Sequence, residues 1–441
     1  MKALELTENV QVVVMMGGLG KRLGEYTADC PKPLVPVGGR PFFDYEFLLL
    51  RLAGFRRFVF CTGYRSGQIQ ETYGDGSLLG VEIQYSLDSP GGELLGTGGA
   101  VRKALPLLDP DFLLTYADSF MDIDYREVMY RYARAKKEGK KALMTLLKNQ
   151  GRFDASNVIY EEGKLKLYDK ARPVKEMQYI DYGVNVFERS LFEAYPEGER
   201  FDLSELQHRL SREGALEGLV VERRFYEIGS PDSYREFIEY AKNRFDVKKP
   251  AVFLDRDGVL NEIVFNEETE QLDSPLSREE LKLLDGVGEA VRKLREKGFY
   301  LFIVTNQPAA AKGKTTLGRL YEVNAELRQR LSPDGEDRID EVFMCPHYPK
   351  ESPRTKESFL IQSCDCRKPK AGLIRSACQK YGIDLEHSYM VGDSYTDIAC
   401  GREAGLQTVF IGNYKCDACA RLEYRKPDRI VSSLLEFAEE L

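Results

Sequence analysis

Short apolar runs that stop abruptly at glycines or acids recur along this chain. The first, Gln11–Met16 (QVVVMM), is too short for a buried helix and rich in β-branched residues, so it predicts a buried strand. It runs directly into Gly17-Gly18-Leu19-Gly20-Lys21-Arg22-Leu23, and the strand therefore empties into a glycine-rich turn. The pattern returns at Ala251–Leu254 (AVFL), which ends in Asp255-Arg256-Asp257-Gly258. Residues 300–304 end in Thr305-Asn306-Gln307, and residues 388–391 end in Gly392-Asp393-Ser394. Two acids at a strand's carboxyl end point to chemistry. The basic run 131–141 follows an amphipathic pattern and predicts the exposed face of a helix, and 231–243 predicts a closing helix that begins with proline. Alternation of strand and helix from residue 11 to about 240 suggests a parallel-type sheet covered by helices, with binding loops at the strands' carboxyl ends. Lys248-Lys249-Pro250 precedes the second set of runs, which divides the chain into units of 1–243 and 249–441.

Composition narrows the class. At 441 residues, 43% hydrophobic and 30% charged, the chain has room for two or three ordinary globular cores. A formal charge of −8 argues against a general nucleic-acid binder and leaves small anionic substrates open. No apolar stretch approaches a membrane span, and MKALELTENV carries acids where a secretory leader needs an apolar core, so the expected location is cytoplasmic. The nine cysteines are unevenly spread, with four between Cys345 and Cys378, which suits metal ligation better than a disulfide scaffold.

In the first half, the glycine turn lets backbone N–H groups approach phosphate oxygens while Lys21 and Arg22 offset their charge, an arrangement suited to a nucleoside triphosphate. The P-loop pattern is absent, and the dinucleotide fingerprint fails where Leu23 stands. In Cys30-Pro31-Lys32-Pro33-Leu34, prolines fix the backbone around one lysine. GGLGKRL and PKPL together resemble the sugar-nucleotide pyrophosphorylase family, whose members join a nucleoside triphosphate to a sugar 1-phosphate and release pyrophosphate. The resemblance extends through residues 95–100 (LGTGGA), Tyr116-Ala117-Asp118-Ser119, Tyr168-Asp169-Lys170 and the expected strand 180–187. It implies that Gly17, Gly18, Gly20 and Lys21 cradle the triphosphate and that Gly96, Thr97 and Gly98 contact the base. Arg22 and Lys32 would stabilise the departing pyrophosphate, Asp169 and Lys170 would hold the sugar phosphate, and Asp118 would bind Mg²⁺. Two positions depart from the family. Lys21 stands where many relatives carry Thr or Ser, and Glu227 stands where many carry a second metal-binding Asp, which leaves Glu227's part in metal binding open. His208 has no cysteine or acid at ligand spacing and reads as structural.

In the second half, an acid pair, a hydroxyl, a lysine and distal acids occur in order: Asp255 and Asp257, Thr305, Arg367-Lys368-Pro369, then Asp393 and Asp397. This resembles the haloacid dehalogenase (HAD) superfamily of phosphatases. The resemblance implies that Asp255 is the nucleophile and Asp257 the general acid and base. Mg²⁺ would be held by Asp255, Asp393 and the backbone carbonyl of Asp257, and Thr305, Asn306, Arg367 and Lys368 would bind the phosphoryl group. Asp397 would either hold a metal-bound water or cap a helix. Cys345-Pro346-His347 and Cys364-Asp365-Cys366 offer three thiolates and an imidazole on two short arms, enough to close a tetrahedral structural zinc site. Such a site would pin the loop that carries Arg367 and Lys368. Cys416 and Cys419 lack a partner pair and are read as non-ligating. The order DRDG, TNQ, CPH, CDCRKP, VGD resembles the zinc-containing D-glycero-D-manno-heptose 1,7-bisphosphate phosphatases, with histidinol phosphatases as near relatives. Here residues 308–313 read PAAAKG in place of SGIARG, and 265–280 is longer and more acidic than the pattern.

The expected fold class is α/β: a Rossmann-like nucleotidyltransferase domain, then a HAD-like doubly wound domain with a zinc-pinned loop. Mg²⁺ is expected in both domains and Zn²⁺ in the second, with nucleoside triphosphates and sugar phosphates as partners and neither nucleic acid nor membrane. Removing the 7-phosphate of heptose 1,7-bisphosphate leaves heptose 1-phosphate, the kind of substrate the first domain would activate. GTP is the expected donor, because known heptose 1-phosphate transferases of this sequence type make GDP-heptose. Two alternatives stay open: the same chemistries on another polyol phosphate, such as a cytidylyltransferase with a glycerol-phosphate phosphatase, or a nucleotide sensor that regulates a phosphatase.

Overall fold

The computed structural model describes residues 5–441 except 19, 88–94, 150, 151, 154, 267–270 and 413–425; Cys416 and Cys419 lie outside the described residues. The chain divides into two compact units, 3–241 and 242–441. None of the described helices is long and apolar enough to cross a membrane.

The first unit is built on a nine-stranded sheet. Gln11–Met16 lies inside it, parallel to Arg57–Thr62 on one side and Asp111–Tyr116 on the other, and Glu82–Leu87 continues the parallel set. The register pairs Met16 with Thr62, Met15 with Tyr116 and Thr62 with Leu87, so all four strands end at one edge. Beyond Asp111–Tyr116 the sheet departs from the parallel expectation, although Leu216–Val221 again pairs parallel with Ala142–Lys148. Tyr179–Glu188 runs antiparallel between Asp111–Tyr116 and Ala142–Lys148, which makes the sheet mixed. A parallel neighbour needs a crossover, usually helical. Between Lys148 and Tyr179 the described chain offers only the hairpin of Val158–Glu161 with Lys164–Tyr168, so the strand returns in the opposite sense.

Helix Phe43–Ala53 covers one face, where Phe43 and Phe47 meet Phe58, Phe60 and Tyr73 edge to face. The expected basic helix spans Tyr125–Lys137, with Val128, Met129, Tyr132 and Ala135 buried and Arg134, Lys136 and Lys137 exposed. The closing helix is Pro231–Ala241, extended by a π-helical turn at Lys242–Asp246.

In the second unit, six strands are all parallel, in the order Glu341–Cys345, Tyr300–Asn306, Ala251–Leu254, Tyr389–Gly392, Gln407–Ile411, Arg429–Val431. Alternate residues feed two cores. Val252 and Leu254 pack with helices Val287–Glu296, Leu317–Leu331 and Leu434–Glu440, while Ala251 and Phe253 pack with Gly372–Lys380 and Tyr395–Glu403. Both faces are covered, which is why these strands are apolar throughout. From the central Ala251–Leu254 the chain steps first to one side and later to the other, and a crevice opens at the carboxyl ends where the order reverses.

Candidate functional site

That crevice is a cleft of about 330 Å³ whose lining includes Asp255, Asp257, Asn306, Arg367, Lys368 and Asp393. Asp255 sits where its strand ends. Its Oδ1 accepts the Arg256 N–H at 2.7 Å and faces Lys368 Nζ at 2.7 Å. Lys368 is buried, donates to the Val304 carbonyl at 2.8 Å and also pairs with Asp397 at 2.6 Å. Burial, reinforced by the charge of Asp397 and opposed by Lys368, pushes the Asp255 carboxyl up to about 7. Asp393 rises to about 6 for the same first reason. Asp257 goes the other way. Against its burial, Arg256 and hydrogen bonds from Asn261, Gln307 and Ser274 hold its carboxyl below the usual range.

Carboxylate oxygens of Asp255, Asp393 and Asp397 lie within 4.8 Å of one another, a donor set that suits a hard divalent cation. The Asp257 carboxylate is not part of that group among the described residues. It is engaged by its own four donors, Arg256, Asn261, Ser274 and Gln307. Gly258 follows at φ +79°, and a Cβ there would strike Asp393, so the turn requires glycine. Asp397 is fully buried and caps helix Tyr395–Glu403 in a capping box with Ser394.

Asn306 clamps the lysine loop with both ends of its amide: Oδ1 accepts the Lys368 N–H at 3.0 Å and Nδ2 donates to the Lys368 carbonyl at 3.1 Å. Thr305 Oγ1 accepts from Gln307 Nε2 at 2.8 Å. Arg367 and Lys312 both line the cleft and both lie over the Tyr348 ring, at 5.5 and 4.7 Å from its centroid. Sequence reasoning passed over Gln307, Asn261, Ser274 and Lys312 as site residues; the TNQ triplet and the asparagine closing DRDGVLN were the available signals.

Beside the cleft, Cys345, His347, Cys364 and Cys366 converge. Their sulfurs are 3.2 to 3.6 Å apart, and His347 Nδ1 is 3.2 Å from Cys366 and 3.7 Å from Cys345. A tetrahedron with metal–sulfur bonds of about 2.3 Å has edges of roughly 3.8 Å, so this donor set fits zinc in both chemistry and size. The three thiols share their protons: hydrogen bonds from Cys345 and Cys366 draw the Cys364 thiol below its ordinary range, while the same contacts push Cys345 and Cys366 above theirs.

In the first unit, the strand edge gathers Arg22, Lys32, Asp118 and Glu227. Lys32 is 92% buried; its Nζ pairs with Asp118 at 2.5 Å and lies 3.7 Å from Glu227, which also faces Arg22 at 3.4 Å. A two-residue ribbon, Tyr226–Glu227 against Ser119–Phe120, brings Glu227 opposite Ser119 and so beside Asp118. Gly17 is approached so closely by Gly63 that a Cβ on the latter would come within 3.1 Å of it. Gly20 adopts φ +62° at the start of the 3₁₀ helix Lys21–Thr27, where Lys21 is exposed.

Gly96, Thr97 and Gly98 open helix Gly96–Ala104. Thr97 N–H donates to the Asp202 carboxylate at 3.2 Å, Gly98 N–H to the Phe201 carbonyl at 3.0 Å, and a Cβ on Gly98 would strike the Phe201 ring. Part of that glycine requirement is therefore packing. Asp169 turns its Oδ1 onto the Ala171 and Arg172 N–H groups, and its Oδ2 lies 3.8 Å from His208, which is also bonded to the Tyr168 carbonyl. His208 thus contacts the acid–lysine element through the Tyr168 carbonyl. Lys170 is exposed, and its charge bears on Asp181, a carboxyl that burial pushes up and Gln207 helps hold. Tyr116 marks the centre of this edge: burial, then the charges of Asp181, Asp118 and Asp202, raise its phenol above the ordinary range. Asp181 and Asp202 were not foreseen, because only the fold places them beside Tyr116.

Residues 11–243 match the nucleotidyl transferase family, and residues 365–437 match the HAD-hydrolase-like family. A D-glycero-β-D-manno-heptose-1,7-bisphosphate 7-phosphatase of Haemophilus ducreyi is 34% identical over 43% of this chain and 96% of its own length. The protein of the same name in Escherichia coli K12 is 38% identical over 36% of this chain and 76% of its own length. A D-glycero-α-D-manno-heptose 1-phosphate guanylyltransferase of Campylobacter jejuni is 26% identical over 52% of this chain and 99% of its own length. The chain therefore belongs to the nucleotidyl transferase family through residues 11–243 and, through its C-terminal half, to the heptose-bisphosphate phosphatases of the HAD type.

Proposed function

We propose that the chain is a bifunctional enzyme of nucleotide-activated heptose synthesis, with hydrolysis in 249–441 and nucleotidyl transfer in 1–243. What carries this reading is that one chain holds both residue sets assembled, and that removing the 7-phosphate for which one set of relatives is named leaves a heptose 1-phosphate, the class of substrate for which the other set is named.

In the phosphatase cleft, Asp255 attacks the 7-phosphorus through Oδ2, the oxygen that Lys368 and the Arg256 N–H do not engage. An aspartyl-phosphate forms as the sugar oxygen leaves with a proton from Asp257. Asp257 then takes a proton from the water that attacks phosphorus and frees phosphate. Lys368, Thr305 and Arg367 hold the phosphoryl oxygens, and the clamp from Asn306 fixes the lysine's backbone. Mg²⁺ bound by Asp255, Asp393 and the Asp257 carbonyl would supply charge compensation for one anion attacking another. Zinc at Cys345, His347, Cys364 and Cys366 would hold the loop leading to Arg367 and Lys368. In the first unit, heptose 1-phosphate attacks the α-phosphorus of GTP. Arg22 and Lys32 stabilise the departing pyrophosphate, Lys170 holds the incoming phosphate, and Asp118, with Glu227 beside it, would hold Mg²⁺.

Phosphate and pyrophosphate release test the reading directly, with both anomers of heptose 1,7-bisphosphate and each of the four nucleoside triphosphates. Consecutive action needs one anomer, yet the phosphatase relatives are named for the β-bisphosphate and the transferase relatives for the α-1-phosphate. The α-anomer is expected to yield both products with GTP. Preference for glycerol phosphate and CTP would move the assignment to a polyol pair. Phosphate release that responds to nucleotide without any pyrophosphate would make the first unit a sensor.

A further inference from the structure

The carboxylate of Asp257 is surrounded by donors of two kinds. Arg256, Asn261 and Gln307 are each fully buried. Arg256 is anchored on Asn324 Oδ1 at 2.9 Å, Asn261 on the Glu262 carbonyl at 2.8 Å, and Gln307 on Thr305 Oγ1 at 2.8 Å. Each is thus held by burial and by a second hydrogen bond. Ser274 differs. Its Oγ donates to Asp257 Oδ2 at 2.8 Å, it is only partly buried, and it lines the cleft. It is also the residue by which the chain leaves the Val264–Asn266 and Gln271–Asp273 hairpin. Two apolar residues at that hairpin, Ile263 and Leu272, line the same cleft while remaining 41% and 69% exposed. The preceding Asp273 is ion-paired with Lys314.

We propose that Ser274 is a positioning residue for Asp257: seating of the sugar against Ile263 and Leu272 sets the hairpin, and the Ser274 hydroxyl then aims Asp257 Oδ2 at the leaving oxygen. This rests on the assignment of Asp257 as general acid. In the step it serves, the Asp255–phosphorus bond forms, the bond from phosphorus to the sugar oxygen breaks, and the Asp257 proton passes to that oxygen. Ser274 itself gains and loses nothing.

Turnover of heptose bisphosphate compared with p-nitrophenyl phosphate, whose leaving group departs without a proton, separates this role from a structural one. Misaiming a general acid forfeits part of a contribution of about 10²–10⁴, so Ser274→Ala should lower kcat on the sugar substrate roughly tenfold, with KM within about twofold. First-turnover release of p-nitrophenol, which precedes the step where Asp257 acts as base, should be unchanged, and Ser274→Thr should restore most of the loss. Unchanged sugar turnover, or equal losses on both substrates, would overturn the proposal. Asp257→Asn tests the underlying assignment separately. Because this variant also removes the base of the shared second step, the comparison is made on the first turnover: equal loss of leaving-group release from both substrates means that Asp257 is not the acid, and a selective loss on the sugar that Ser274→Ala does not share removes only the role of Ser274.

Discussion

Glu46 is fully buried and makes two hydrogen bonds, accepting from the Tyr125 hydroxyl and from the Met121 N–H at 2.8 Å. Burial is the largest influence on it and pushes its carboxyl up to about 8. The unfolded chain releases this proton near 4.5, so between about 4.5 and 8 the folded unit holds a proton that the unfolded chain lacks. Stability from this group is therefore fully present below about 4.5 and is lost as pH rises through 8, by an amount on the order of a few kcal/mol. Hydrogen-exchange protection of peptides from 5–241 should fall across that window in the wild type. Glu46→Gln, which keeps the shape and removes the titration, should flatten the fall. An identical slope in both proteins would mean that Glu46 is not the group responsible. Nothing in the local sequence FDYEFLLL separates this glutamate from a surface one; its partners are 75 and 79 residues away. Arg256 repeats the lesson, because its aid to Asp257 depends on Asn324, 68 positions on. Asp255, Asp118 and Lys368 could be singled out for the opposite reason, since each lies in a short run whose neighbours suggest a chemistry.

Among elements, those with their own internal periodicity were read from the sequence, and those defined by a partner were not. Gln11–Met16 and Ala251–Leu254 match their expected bounds. The antiparallel sense of Tyr179–Glu188 and the docking of Gly96–Ala104 on Phe201 and Asp202 depend on connections and contacts that spacing does not encode. The thiol–imidazole cluster lies between these cases: its two arms were visible, while their link to catalysis is tertiary. Gln307 N–H donates to the Cys345 carbonyl at 2.8 Å, and Arg367 donates to the His347 carbonyl at 3.3 Å, so two residues that serve the cleft hang directly on expected zinc ligands. Cys364→Ser should then remove about one equivalent of zinc by metal analysis and lower phosphate release at least tenfold, while pyrophosphate release stays unchanged. Full phosphatase activity in zinc-free protein would show that the loop holds its shape without the metal.

For the whole molecule, the two residue sets make the units chemically separable. Asp255→Asn replaces an attacking carboxylate with an amide that cannot form the aspartyl-phosphate, and it leaves Lys32 and Asp118 untouched. Lys32→Ala removes a buried cation from the other unit and leaves the cleft at Asp255 intact. Each variant should lose one activity and keep the other, and neither should convert heptose bisphosphate with GTP into nucleotide sugar. An equimolar mixture of the two should. One protein then releases heptose 1-phosphate and the other activates it, so nucleotide sugar appears after a lag while the intermediate accumulates in solution, as chromatography of a time course would record. Wild-type chain at the same site concentration sets the comparison. A mixture as fast as the wild type means that the intermediate is free to diffuse between chains. A mixture that makes phosphate and no nucleotide sugar means that heptose 1-phosphate released by one chain does not reach another. A single variant that loses both activities would show that the two units do not work independently.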